Sequence, residues 1–132
     1  MSDDVNGAES DATTRDAFLG GRIEIRQPAE GYRAGGDPVL LAAAIKAKPG
    51  AEVLDLGCGV GTASLCLLAR LPGIAVTGLE IQPELARLAA ANASANHLAE
   101  RFTVLAGSLL APPDSLRGRL FDQVMTLSLI HI

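Results

Sequence analysis

Aromatic side chains are nearly missing from this chain: three Phe, one Tyr and no Trp in 132 residues. A core of stacked rings is therefore excluded, and Ala, Leu, Val and Ile must fill the interior. Only two cysteines occur, which excludes a disulfide-stapled scaffold. Cys58 falls in a glycine-rich turn and Cys66 in the helical pattern behind it, so a reduced pair is expected. Neither has a CxxC or His-rich neighbourhood, and no metal site is read. No apolar run approaches the length of a membrane span. The opening stretch MSDDVNGAES has no base and no apolar block and does not read as a secretory signal. A cytoplasmic protein without membrane contact is the expectation.

Excess charge is also absent from most of the chain. The formal net charge is −4, and residues 1–17 account for it with five acids (Asp3, Asp4, Glu9, Asp11, Asp16) against Arg15. The remainder balances and gives no strong field for or against nucleic acid. Residues 1–17 are read as a disordered acidic leader, residues 18–126 as one domain, and residues 127–132 as an atypical tail.

What is present is strand–helix punctuation. Residues 22–26 alternate as Arg-Ile-Glu-Ile-Arg, a short period-two strand, and the stretch to Gly35-Gly36 reads as a hairpin or a strand plus loop. Asp37 and Pro38 fit the N-cap and first position of a helix. Lys46 and Lys48 are placed in its last turn, and Pro49-Gly50 stops it. Four apolar strands follow, at 53–56, 74–80, 101–107 and 120–126. Helices at 62–71 and 82–98 separate the first three; a Pro-interrupted loop precedes the fourth. Strand–helix–strand–helix–strand predicts an α/β fold with a parallel sheet. Phe121 to Thr126 reads as a buried strand.

The informative stretch is Asp55-Leu56-Gly57-Cys58-Gly59-Val60-Gly61, which closes a strand and opens a helix. Glycines there permit positive φ and close approach of a ligand, and the helix start offers unpaired N–H groups. A dinucleotide prefers G-x-G-x-x-G, but the position of the third glycine holds Thr62. The carboxylate of Asp55 suits a cationic ligand better than a pyrophosphate. S-adenosylmethionine, a sulfonium with an amino-acid end and no phosphate, is such a ligand. Glu80, at the end of the next strand, can take both ribose hydroxyls of an adenosine. That feature is common to both ligand classes.

VLDLGCGVGTASLCLLAR together with VTGLEIQPELARLAAANA resembles the class I S-adenosylmethionine-dependent methyltransferases. The preceding GYRAGGDPVLLAAAIKAKPG is similar to the small-domain branch that methylates the exocyclic amine of adenine in tRNA, the tRNA-valine adenine-N6 methyltransferases. The resemblance covers about residues 18–126. It implies a Rossmann-like sheet, of which this chain holds the N-terminal half, about four core strands after a short strand or hairpin and a helix. It implies that Asp55, Gly57, Gly59 and Gly61 hold the methionine end of S-adenosyl-L-methionine, that Glu80 binds the ribose, and that Ile81 lines the adenine pocket. Ser108 stands where the family often has an Asp for the adenine amine. The methyl acceptor it implies is RNA, with Arg22, Arg26 and Arg33 able to face phosphates.

In such relatives the fourth strand is followed by Asn-Pro-Pro-Tyr, which accepts the hydrogens of the target amine and stacks on the flipped base. Here Leu127 follows Thr126. The expectation is a cofactor-binding half cut where catalysis begins, with no catalytic residue assigned, no role given to His131, and an apolar strand edge prone to self-association. Two other readings remain: a non-catalytic adenosine-binding or interaction module, and a nicotinamide-dependent oxidoreductase, which Thr62 opposes.

Overall fold

The computed structural model describes residues 13–30 and 35–127. Strand β1 (Thr13–Phe18) pairs antiparallel with β2 (Ile23–Pro28). The expected strand at 22–26 therefore forms, but its hairpin partner precedes it. Residues 13–17, assigned from composition to the leader, belong to that partner. The turn is tight because Leu19, Gly20 and Gly21 all take positive φ. Helix α1 follows (Gly36–Ala44), then β3 (Glu52–Leu56), α2 (Thr62–Arg70), β4 (Ala75–Glu80), α3 (Pro83–Ala95), β5 (Phe102–Ala106), a single 3-10 turn (Asp114–Leu116) and β6 (Gln123–Thr126).

The four later strands form one parallel sheet in the order β5-β4-β3-β6. The period-two alternation of β3 sends Val53 into the helix-covered core and Leu54 to the opposite face. The helix side holds the main core, with Leu65, Cys66, Leu67 and Leu68 of α2 and Ala89 and Ala93 of α3 packed around Val53, Val76 and Phe102. The other face carries a thin cluster, Leu54, Leu79 and Leu116 with Leu56, Leu105 and Phe121 around it.

Two sequence expectations change. Helix α1 ends at Ala44, before Lys46 and Lys48, and Asp37 lies inside its first turn rather than at the cap. The reason is tertiary: the Arg70 guanidinium, reaching over from α2, donates to the carbonyls of Ala42 and Ile45 and caps the helix end there. Second, the strand read as buried is only partly so: β6 ends the sheet of described strands, in keeping with the apolar edge expected there. Met125 is buried, but Val124 is 56% exposed and Leu120 beside the strand 91% exposed. His131 and the residues from 128 onward lie outside the described residues, as do residues 1–12 and Arg33.

Candidate functional site

Parallel strands deliver their loops at one end, and the glycine loop, Glu80, Ile81 and Ser108 all leave the carboxyl ends of adjacent strands. Residues 57–61 turn from β3 into α2. Gly57, Gly59 and Gly61 have φ of 70°, 57° and 94°, a region that costs other residues strain. The start of the loop is pinned to β4: the N–H groups of Gly57 and Cys58 both donate to the Leu79 carbonyl, at 2.8 and 3.1 Å. A Cβ at Gly59 would meet nothing within 4 Å, so its freedom serves the turn and leaves open space for a ligand.

Glu80 points toward this loop. Its Oε1 accepts the Gly59 N–H at 2.8 Å and its Oε2 accepts the Gln82 N–H at 3.0 Å. Each oxygen keeps further acceptor capacity. Ile81, next along, is partly exposed. The Gly107 N–H donates to the Glu80 carbonyl at 2.9 Å, which sets Ser108 beside it at the end of β5. The Ser108 hydroxyl accepts the Leu110 N–H at 3.0 Å and still has its own proton to donate. The structure thus gathers six of the seven sequence-predicted residues, Gly57, Gly59, Gly61, Glu80, Ile81 and Ser108, around one rim.

Asp55, which the resemblance assigns to the methionine end of the cofactor, is buried. It shares the helix-facing side of β3 with Val53, is 3% exposed, and accepts a 2.6 Å hydrogen bond from the Ser64 hydroxyl of α2. Burial pushes its carboxyl up to about 7, against the opposing effect of the Ser64 hydrogen bond and with a smaller push from the nearby Glu80 charge. Asp55 thus lies beneath the loop, bonded to Ser64. Burial likewise raises the Cys58 thiol, aided by Asp55 and Glu80. Both cysteines are free and buried.

Sequence reasoning missed three contributors. Ser64 was the one hydroxyl in the apolar run after Thr62, a visible but unread signal. Gly78, inside β4, has no motif. A Cβ there would sit 2.7 Å from Cys58 Sγ and 3.0 Å from the Phe102 ring, so the bare backbone lets the loop lie against the strand. Asn92 of α3 donates to the Val60 carbonyl at 2.9 Å. By contrast, two arginines expected to face phosphates are engaged within the fold. Arg22 caps α2 at the Ala69 carbonyl, and Arg26 reaches Thr13 Oγ1.

The donor set fits S-adenosylmethionine. Two carboxylates near the loop favour a cation, no lysine or arginine lies in residues 55–69 to meet a pyrophosphate, and Ile81 offers an apolar contact beside Glu80. Buried Thr62 Oγ1, at the start of α2, has no hydrogen-bond partner among the described residues.

This fold and rim define a class: Rossmann-like enzymes that bind an adenosine-containing cofactor at the carboxyl edge of a parallel sheet. The methyltransferase domain family matches residues 53–132, and the chain belongs to it. The chain is 36% identical over 117 residues to a tRNA1(Val) (adenine(37)-N6)-methyltransferase of Porphyromonas gingivalis, covering 84% of this chain and 46% of that one. Among solved structures, mitomycin 7-O-methyltransferase MmcR is 28% identical with a TM-score of 0.59, over 72% of this chain and 26% of that one. TYW2 of P. horikoshii superposes with a TM-score of 0.66 at 21% identity, over 79% of this chain and 39% of that one. The chain thus spans about half the length or less of the relatives it matches. The class I S-adenosylmethionine-dependent methyltransferase expected from the sequence is the class observed, and the oxidoreductase alternative is set aside.

Proposed function

We propose that this domain binds S-adenosyl-L-methionine at the rim formed by residues 57–61, Glu80, Ile81 and Ser108, with Asp55 beneath it. We further propose that it serves methylation of an adenine exocyclic amine in tRNA, in the cytoplasm. The observation that carries the cofactor reading is the pairing of Glu80 with the Gly59 N–H. It sets a carboxylate, itself 4% exposed, against a glycine loop, on the strand next to the one that leads into that loop. The tRNA assignment draws support from the similarity to adenine-N6 methyltransferases. Bound S-adenosylmethionine supplies an electrophilic methyl group on sulfur. The chain's own residues orient it: Glu80 takes ribose hydroxyls, the loop leaves room for the methionine end, and Asp55 favours its positive charge. No helix among the described residues is long and apolar enough to cross a membrane.

Calorimetric titration with S-adenosylmethionine, and with NAD as control, tests the reading. Binding of the former alone is expected. Glu80→Ala should weaken it by about tenfold or more, since charge-assisted hydrogen bonds contribute roughly 1.5–3 kcal/mol each. A folded chain that binds neither compound rejects the cofactor site.

Self-association through β6 is part of the proposal. The strand ends the sheet with its outer edge unpaired by any described strand, beside exposed Leu120, Val124 and Leu127. Sedimentation should show a mass that rises with concentration, and Val124→Lys should return it to that of one chain. A wild-type mass independent of concentration counts against the edge.

A further inference from the structure

The N-terminal hairpin and the glycine loop meet in one side chain. Alternate residues of a strand direct their N–H and C=O groups to opposite edges. On the edge of β2 used by residues 24 and 26, Asn92 of α3 and Asn96, the residue that caps the end of that helix, supply the partners. Asn96 Oδ1 accepts the Glu24 N–H at 3.0 Å, and its Nδ2 donates to the Glu24 carbonyl at 2.8 Å. Asn92 repeats the pattern at Arg26, accepting at 2.9 Å and donating at 3.0 Å. The match is geometric. Residues one helical turn apart have Cβ atoms about 5–6 Å apart, close to the roughly 6.7 Å repeat of alternate strand residues. Two amides on a helix face thus stand in for a neighbouring strand. Asn92 is 3% exposed and does one thing Asn96 does not: its second N–H donates to the Val60 carbonyl at 2.9 Å.

We infer that Asn92 is a positioning residue that couples docking of the N-terminal hairpin to the conformation of the glycine loop, so that cofactor binding and hairpin docking strengthen each other. This rests on the cofactor reading above. The Val60 carbonyl belongs to the Val60–Gly61 peptide, in a turn whose flanking glycines take φ of 57° and 94°. The N–H of that peptide is held within the loop by the Cys58 carbonyl at 3.0 Å, and its carbonyl is held from outside by Asn92, whose other contacts bind Arg26. Displacing the hairpin frees Asn92 to leave Val60. A ligand that favours the ordered loop must then favour the docked hairpin by the same factor.

The test uses the full chain. In the wild type, saturating S-adenosylmethionine should slow hydrogen exchange at the Arg26 amide by at least about fivefold, the low end of usual coupling. Asn92→Ala should weaken S-adenosylmethionine binding by about tenfold and speed exchange at Arg26 and at the amides of residues 57–61. Asn96→Ala should speed exchange at Glu24 but shift the affinity by less than about threefold. Arg26 exchange indifferent to saturating ligand overturns the inference, and so does equal weakening by the two variants, which would mean generic loosening. The ligand experiment needs no variant, so it decides even where Asn92→Ala does not fold. If the folded wild type binds no S-adenosylmethionine, the cofactor reading has failed instead. The bridge is then judged by exchange alone: loop amides no faster in Asn92→Ala than in Asn96→Ala overturn it.

Discussion

Replacing Asp55 with asparagine is expected to stabilise the protein by about 2–4 kcal/mol at pH 8 while weakening S-adenosylmethionine binding by more than about tenfold. The carboxyl titrates near 7 in the fold, raised from 3.8 by burial. Between those values the folded state holds a proton that the unfolded state has lost. Stability therefore falls as pH rises from about 4 to about 7, and the full cost, on the order of 4 kcal/mol, is present above that window. Asparagine keeps an oxygen for the Ser64 hydroxyl and has no charge to bury, so its gain should be large at pH 8 and close to nothing at pH 4. Urea unfolding at the two pH values reads this directly. A variant no more stable than wild type at pH 8 would mean that the carboxylate is better solvated than its burial implies.

The same titration governs binding. A sulfonium and an amino-acid ammonium above the loop favour ionised Asp55 and lower its pKa. Wild-type affinity should rise with pH through about 7 and level off above. Calorimetry near pH 7 in buffers of differing ionisation enthalpy should show proton release on binding, and Asp55→Asn should abolish that component. An unstable ionised group kept beneath a binding loop is the pattern of a site that trades stability for function.

The second large effect centres on Phe102. Its ring is 4% exposed and lies 3.0 Å from where a Cβ would stand at both Gly61 and Gly78. Phe102→Ala removes the one fully buried aromatic ring of the main cluster among the described residues and should cost about 3–5 kcal/mol. Gly78→Ala is expected to cost about 1–3 kcal/mol by overpacking. Gly78 has ordinary strand backbone, so room is its sole requirement there. The pair should be far from additive, because the smaller side chain at 102 relieves much of the clash at 78. Additive losses in a double-mutant cycle would assign the cost at 78 to Cys58 Sγ, the nearer neighbour at 2.7 Å. Gly61→Ala differs. Its φ of 94° leaves backbone strain that no change at Phe102 removes.

Local chemistry made much of the molecule legible. Period-two strands, proline-led α3 and the glycine loop each declare themselves within a few residues, because φ/ψ preferences and apolar periodicity are local properties. The acids at 55 and 80 could be assigned to one site because a βαβ unit brings the ends of consecutive strands together whatever the rest of the chain does. What required tertiary structure is long in sequence separation. Thr13–Ala17 looks like a polar leader until its pairing with β2 is seen. Helix α1 has the pattern to reach Lys48, yet Arg70 stops it at Ala44.

The parallel α/β frame, the glycine loop and the family were legible from the residues alone. Each depends on residue type at short spacing. The packed fold was needed to see that Asp55 is buried under the loop on Ser64, that Gly78 makes space for the loop, and that Asn92 ties the loop to the hairpin. Burial and side-chain partnership depend on which distant segments the fold sets side by side, and no short window of residues carries that information.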